Sequence, residues 1–210
     1  MKKYKRIEEL PSAFISKKSA IRIRLKEYGN IPTEQYFYEL IYCLMTPQSS
    51  AVNAGKAQQE FELLQYRITE IDPEPILFSK EHYIRFHKSK ARWIGMMKQN
   101  FPMIMEIIIG PLSAEDKRTW LVKNVIGLSY KEATHFLRNI GKNDGLAILD
   151  RHIVKNLKYY GVIRTIPKTL TKKHYLSIEK KFQLFAEEIG ITIDELDLLF
   201  WSNEAGEILK

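Results

Sequence analysis

Helix start and stop signals recur along this chain so closely that only an all-helical fold accommodates them. Two segments carry an S/T-x-x-E capping box, Ser129 with Glu132 and Thr192 with Glu195. In such a box the hydroxyl and the carboxylate satisfy N–H groups that a helix start leaves without partners. Pro11 at a first helical position and Gly29 as a stop bracket a helix from Pro11 to Tyr28. Thr33 is read as the cap of a helix through Met45, Ser49 or Ser50 as the cap of one to about Gln65, and Ser89 as the start of one through Asn100. Ser113 with Asp116 opens a helix through Val125, and Lys131 to Ile140 is closed by Gly141. Asp150 is a strong N-cap for Arg151 to Tyr160, closed by Gly161; Thr171 to Ile189 follows, and the Thr192 box leads to about Trp201. The apolar run Ile107-Ile108-Ile109 is too short to count as a strand signal against this background. The fold class expected is therefore all-α, with many medium helices joined by short turns. No internal repeat or low-complexity linker interrupts the 210 residues, which suffice for one large domain or two small ones with a real core.

Charge and cysteine content narrow the function. A net charge of +8 suggests a polyanionic partner, nucleic acid before a membrane surface. From Arg151 to Ile178 the chain carries Arg151, Lys155, Lys158, Arg164, Lys168, Lys172 and Lys173 with no Asp or Glu. That run reads as a surface stripe or simply as a solvated face. Cys43 is the only cysteine, so an internal disulfide and a cysteine-ligated zinc or iron–sulfur site are excluded. Its apolar neighbours Leu40, Ile41, Leu44 and Met45 mark it as a buried small hydrophobe. With no signal peptide and no long apolar run, an intracellular protein with no membrane segment is expected.

One residue breaks a local rule. With Ser129 as N-cap and Glu132 as N3, Lys131 falls at N2, where the positive end of the helix dipole disfavours a cation by roughly 0.3–1 kcal/mol. Such violations accompany functional sites. The position favours a neutral amine, which is a nucleophile, although it also suits an ordinary solvated lysine. Around it, Trp120 to Ile140 reads as helix, glycine turn, helix, with apolar Leu121, Val122, Val125 and Ile126 before the turn and Ala133, Phe136 and Leu137 after it. This is similar to a helix-hairpin-helix DNA-binding motif, in which the turn and the next helix start, Gly127 to Ser129, offer backbone N–H groups to phosphate. Beyond it, Gly145-Leu146-Ala147-Ile148-Leu149-Asp150 places an aspartate after an apolar run.

A hairpin lysine followed by such an aspartate resembles the helix-hairpin-helix/Gly-Pro-Asp superfamily of DNA glycosylases, with Ile148-Leu149 standing where that superfamily has Gly-Pro. Leu44-Met45-Thr46-Pro47-Gln48-Ser49-Ser50-Ala51 resembles the loop that fills the hole left by a flipped base, with Gln48 as the plug. Arg85-Phe86-His87-Lys88-Ser89-Lys90-Ala91 resembles the wedge loop, with Phe86 intercalating and Arg85 on the widowed cytosine. The tail Leu196-Asp197-Leu198-Leu199-Phe200-Trp201, then Gly206 and Ile208-Leu209-Lys210, together with Lys131-Glu132-Ala133 and His135 to Asn139, looks like the archaeal-type 8-oxoguanine DNA glycosylase/AP lyases. Many of those relatives carry Trp-Tyr where this chain has Trp201-Ser202, and Thr where it has Ala205.

The resemblance implies two helical subdomains: residues 32–148, a helical barrel ending in the hairpin, and residues 1–31 with 149–210, the active site lying in the cleft between them. It implies Lys131 and Asp150 as catalytic residues, Trp201 and Lys210 as readers of the damaged base, and Gly127 and Ser129 as contacts to the DNA backbone. It implies a monomer acting on double-stranded DNA with oxidised guanine or abasic sites, with no cofactor and no metal required. A monovalent cation held by hairpin carbonyls near Ile126 to Ser129 is compatible with it. His135 and His152 read as packing or capping-turn residues rather than catalytic ones. A non-catalytic hairpin DNA-binding module, or a glycosylase for a different oxidised base, remain the alternatives.

Overall fold

Caps read from the sequence hold most of the helix starts in place. The computed structural model describes residues 4–205, with side chains to residue 203. Its α-helices are α1 (Leu10–Gly29), α2 (Tyr36–Met45), α3 (Ala51–Leu63), α4 (Pro73–Leu77), α5 (His87–Ile109), α6 (Ala114–Asn124), α7 (Tyr130–Asn139), α8 (Arg151–Tyr159), α9 (Lys172–Ile189) and α10 (Ile193–Ala205), with no strand among the described residues. The expected all-α class is the observed one. Ser50 Oγ accepts from the Asn53 N–H at 3.4 Å, Ser113 Oγ from Asp116 at 3.1 Å, Thr171 Oγ1 from His174 at 3.3 Å and Thr192 Oγ1 from Glu195 at 3.2 Å.

Three helices differ from the expectation. Thr33 opens only a single 3-10 turn, Thr33–Gln35, and α2 starts at Tyr36. The helix expected from Ser89 begins at His87 behind Phe86, which adopts a left-handed φ of 61° and makes no side-chain cap. That helix also runs through Pro102 to Ile109 instead of stopping at Asn100. An interior proline costs about 3 kcal/mol. The exposed ring of Pro102 is outweighed by Phe101, Ile104 and Ile108, which one face of the extended helix buries. The short α4, capped by Asp72 and holding Pro73 and Pro75, was not expected at all.

Two compact units emerge: Ile31–Lys142, and the residues up to Asn30 together with those from Asn143 onward. In the first, α2 is apolar nearly all round and lies at the centre, packed by α3, α5 and α7. Phe37, Leu40, Ile41, Cys43 and Leu44 are wholly buried there, as expected for Cys43. A buried carboxylate ties three helices: Glu39 accepts from Gln58 Nε2 at 3.2 Å and Asn139 Nδ2 at 3.0 Å. In the second unit α10 packs on α1, α8 and α9. Phe200 stacks on Tyr160 with ring centroids 5.5 Å apart and on Phe182 at 6.4 Å. No helix of the described residues is long and apolar enough to cross a membrane.

The N-cap of α10 also carries an ion pair. Glu195 Oε1 accepts from Arg22 Nε of α1 at 2.9 Å, and Glu195 Oε2 accepts from the Thr192 N–H at 3.1 Å. Burial pushes the Glu195 carboxyl up, but hydrogen bonds from Arg22 and from the Thr192 amide and hydroxyl, with the Arg22 charge, outweigh it and hold the carboxyl below its ordinary value of 4.5. A carboxyl lowered on folding adds stability above its ordinary value and loses it as pH falls through the folded value. Glu195→Gln is expected to lower stability by about 1–3 kcal/mol near neutral pH. Denaturant melts should show that gap closing in acid; a gap independent of pH would refute the role of the charge.

Candidate active site

The hairpin is built around a glycine that no other residue can replace. After α6 the chain is extended at Val125 and turns at Gly127, whose φ is +97°. A Cβ at Gly127 would lie 2.6 Å from Trp93 Cε3 and 3.1 Å from Leu44 Cδ2. Both the left-handed backbone and the close approach to α5 and α2 therefore demand glycine. The wholly buried Arg118 of α6 donates to Thr134 Oγ1 of α7 at 3.3 Å, and its guanidinium lies 5.1 Å from the centre of the Tyr130 ring.

The capping box that starts α7 forms as the sequence predicts. Ser129 donates its N–H to Glu132 Oε2 at 3.2 Å, and its hydroxyl donates to the same oxygen. The other oxygen, Oε1, stands 3.5 Å from Lys131 Nζ. The dipole of α7 therefore does not act on Lys131 unopposed, because Glu132 supplies a compensating negative charge. Lys131 remains partly accessible, its side chain 22% exposed, whereas Glu132 beside it is buried. The Ser129 N–H is already engaged by Glu132, and the Leu128 N–H donates to the Val125 carbonyl at 3.2 Å. His135 is buried edge-on to Tyr42 at 5.7 Å, which fits a packing role.

Asp150 caps α8 with one oxygen: Oδ1 accepts from the His152 and Ile153 N–H groups, both at 2.8 Å. The other oxygen, Oδ2, accepts from Trp201 Nε1 of α10 at 2.7 Å. Trp201 also lies against the His152 ring, centroids 5.3 Å apart. The extended segment leading to Asp150 is held by α9. Tyr175 Oη donates to the Ala147 carbonyl at 2.5 Å and accepts from the Leu149 N–H at 3.1 Å, and Glu179 Oε1 accepts from the Ala147 N–H at 2.8 Å. These long-range supports have no local signal in the sequence.

The two loops expected to enter DNA are also specified. Gln48 is exposed with a left-handed φ of 55°, and Phe86 is 48% exposed with φ 61°, so Phe86 is not part of the core. The Arg85 guanidinium lies 4.8 Å from the centre of the Phe86 ring, and the Arg85 N–H donates to Ser49 Oγ at 3.0 Å, joining the two loops. The structure thus groups Gln48, Arg85 and Phe86 in one unit, and Asp150 with Trp201 in the other. Lys210 lies outside the described residues. Among the described residues, no group of three or more His, Cys, Asp or Glu is arranged to hold a metal ion. Sequence reasoning missed Lys90, a buried lysine in the first turn of α5 whose only sequence signal is its place inside the wedge-like segment.

Gly127→Ala is expected to destabilise the protein by about 1–3 kcal/mol through backbone strain at positive φ and collision with Trp93. Denaturant melts, with DNA affinity measured alongside, test this; unchanged stability would show that the turn relaxes around the methyl group.

Residues 21–191 match the family of the Ogg helix-hairpin-helix type described as 8-oxoguanine DNA glycosylase. The 8-oxoguanine DNA glycosylase/AP lyase of Fusobacterium nucleatum is 37% identical, with 100% of each chain covered. That of Methanocaldococcus jannaschii is 35% identical over 98% of each chain. The crystal structure of the M. jannaschii enzyme in complex with a 15mer DNA containing 8-oxoguanine aligns with a TM-score of 0.87 and 33% identity, over 97% of this chain and 99% of that one. The Thermotoga maritima 8-oxoguanine DNA glycosylase aligns with a TM-score of 0.85 and 29% identity, over 97% of this chain and 98% of that one. Family match, full-length relatives and the course of the whole chain agree: this protein belongs to the helix-hairpin-helix family of 8-oxoguanine DNA glycosylases.

Proposed function

We infer that this protein is a bifunctional 8-oxoguanine DNA glycosylase/AP lyase of base-excision repair, with Lys131 as its nucleophile. The observation that carries the reading is a partly accessible lysine at the N-terminus of the hairpin helix, in a chain that matches the glycosylase/AP lyases from end to end. The damaged nucleotide leaves the duplex stack before reaction, Gln48 filling the gap and Phe86 wedging beside it while Arg85 engages the widowed base. The hairpin turn at Gly127 to Ser129 holds the backbone phosphates, and the net charge of +8 makes binding steeply salt-dependent.

The chemistry follows from a neutral amine meeting a sugar carbon. The Lys131 lone pair forms a bond to C1′, and the glycosidic bond breaks with its electron pair leaving on the base. Asp150 stabilises the positive charge that develops on the sugar and takes the proton the attacking nitrogen sheds. Its orientation rests on its two α8 amide donors and on Trp201. Opening of the sugar gives a Schiff base on Lys131. Loss of a C2′ proton then expels the 3′ phosphate, cutting the strand on the 3′ side of the lesion. Trp201 packs its ring on the base, with Lys210 as the second reader. No cofactor is required; the carbonyls near Ile126 to Ser129 would hold a monovalent cation, which would supply positive charge on the DNA-facing side of the hairpin.

Borohydride is expected to trap a covalent adduct between wild-type protein and DNA, and Lys131→Gln to abolish it while leaving binding. Trapping that survives the substitution would remove Lys131 from the reaction. Asp150→Asn is expected to slow base excision at least about 100-fold in single turnover; a near-normal rate would leave Asp150 with only its cap of α8. A panel of lesion duplexes tests the substrate, with 8-oxoguanine expected to be excised before oxidised pyrimidines.

A further inference from the structure

Lys90 is a charged residue buried where an apolar one would fold more cheaply. Its exposure is 1%, and all three donors of its ammonium group are used. Nζ donates to the Met45 carbonyl at 2.6 Å, the Pro47 carbonyl at 2.7 Å and Ser49 Oγ at 3.1 Å. Met45 ends α2, so the ammonium sits at the negative end of that helix and satisfies a carbonyl the helix leaves open. Ser49 Oγ also accepts from the Arg85 N–H. A second tie runs alongside, from Asn53 Nδ2 to the Tyr83 carbonyl at 3.1 Å. The network thus spans the end of α2, the loop carrying Gln48, and the loop carrying Arg85 and Phe86.

Both loops hold a non-glycine residue in the left-handed region, Gln48 and Phe86. Such backbone persists only where surrounding contacts over-determine it. Lys90 lies behind both: its Nζ bonds the residues flanking Gln48, and its own N–H donates to the Phe86 carbonyl at 3.0 Å. Burial pushes the Lys90 amine down to about 8, with Glu132 pulling it up and Lys131 pressing it further down. The network therefore also lies within electrostatic reach of the nucleophile and its neighbour.

We propose that Lys90 is a positioning residue that clamps the Gln48 loop and the Phe86 loop into one rigid element for opening the duplex. The proposal rests on the reading above that these two loops enter DNA. Its purpose is geometric: plug and wedge must arrive together, and one ammonium holds the Gln48 loop directly and the Arg85–Phe86 loop through Ser49. A misplacement of about 1 Å in such positioning groups can cost on the order of 100-fold in rate.

Two variants test the clamp. Lys90→Met keeps an unbranched side chain as far as Cε and removes all three donors. Ser49→Ala removes only the oxygen shared by Lys90 and Arg85. Hydrogen exchange on free protein is expected to quicken about tenfold or more in peptides covering residues 45–49 and 84–86, and not across the rest of that unit. This readout needs no activity, so it separates failure of the clamp from failure of the glycosylase reading. On 8-oxoguanine duplex, single-turnover excision is expected to fall at least about tenfold more than borohydride trapping on a single-stranded abasic oligonucleotide, which has no base to extrude. Unchanged or uniformly raised exchange in both variants would overturn the clamp. Equal losses on the two substrates would overturn its role in duplex opening, whichever loop behaviour accompanies them.

Discussion

A single buried carboxylate, Glu132, balances a lysine at the start of the hairpin helix. One oxygen closes the capping box with Ser129, and the other faces the Lys131 amine at 3.5 Å. Without the first contact the start of α7 loses its N-cap, typically worth about 1 kcal/mol. Without the second, a lysine at N2 faces the helix dipole with no counter-charge. Both contacts come from one side chain in the first turn, so a substitution at Glu132 removes the cap and the counter-charge together. Gly127 completes the constraint from the other side, because its approach to Trp93 and Leu44 fixes where the first turn begins.

The aspartate obeys the opposite logic at another helix start. An anion at the N-cap of α8 is favoured by the dipole and by two amide donors, so Asp150 needs no counter-ion for stability. What it needs is orientation, and that comes from Trp201 and from the segment before it. Tyr175 and Glu179 satisfy the backbone between Ala147 and Leu149, groups that would otherwise be buried without partners. Isoleucine and leucine before the aspartate thus stand in a conformation set by α9, not by their own preference. One cap is balanced by charge and the other by hydrogen bonds.

Helix starts were legible because caps are local chemistry. Ser113, Ser129, Asp150, Thr171 and Thr192 all act within three residues of their targets, and all were identifiable. What escaped depends on distant surfaces. The passage of α5 through Pro102 is decided by the burial of Phe101, Ile104 and Ile108, so the usual rule at proline misleads there. Lys90 looks like any lysine in a basic segment until the end of α2 is folded over it. Trp201 and Asp150 are separated by 51 residues, and only the fold joins them. Resemblance to the glycosylases points to Lys131 and Asp150 without that geometry, because a hairpin lysine and a capping aspartate after an apolar run are both legible in the chain.

The energetics of Lys90 indicate what it is for. Its amine is held at about 8 against 10.5 when unburied. Between those values the unfolded chain binds more protons than the folded one, so stability rises with pH across that window. Below it, including at neutral pH, the buried ammonium is a standing cost that an apolar side chain of the same length would remove. Hydrogen bonds to two carbonyls and a hydroxyl offset part of that cost. A residue that lowers stability persists where geometry matters more than stability. The geometry in question belongs to the two loops that carry Gln48 and Phe86, whose left-handed residues need a rigid support behind them. The same charge lies close enough to Glu132 and Lys131 for each to affect it. A substitution at Glu132 or Lys131 therefore also alters the charge balance that Lys90 meets behind the two loops.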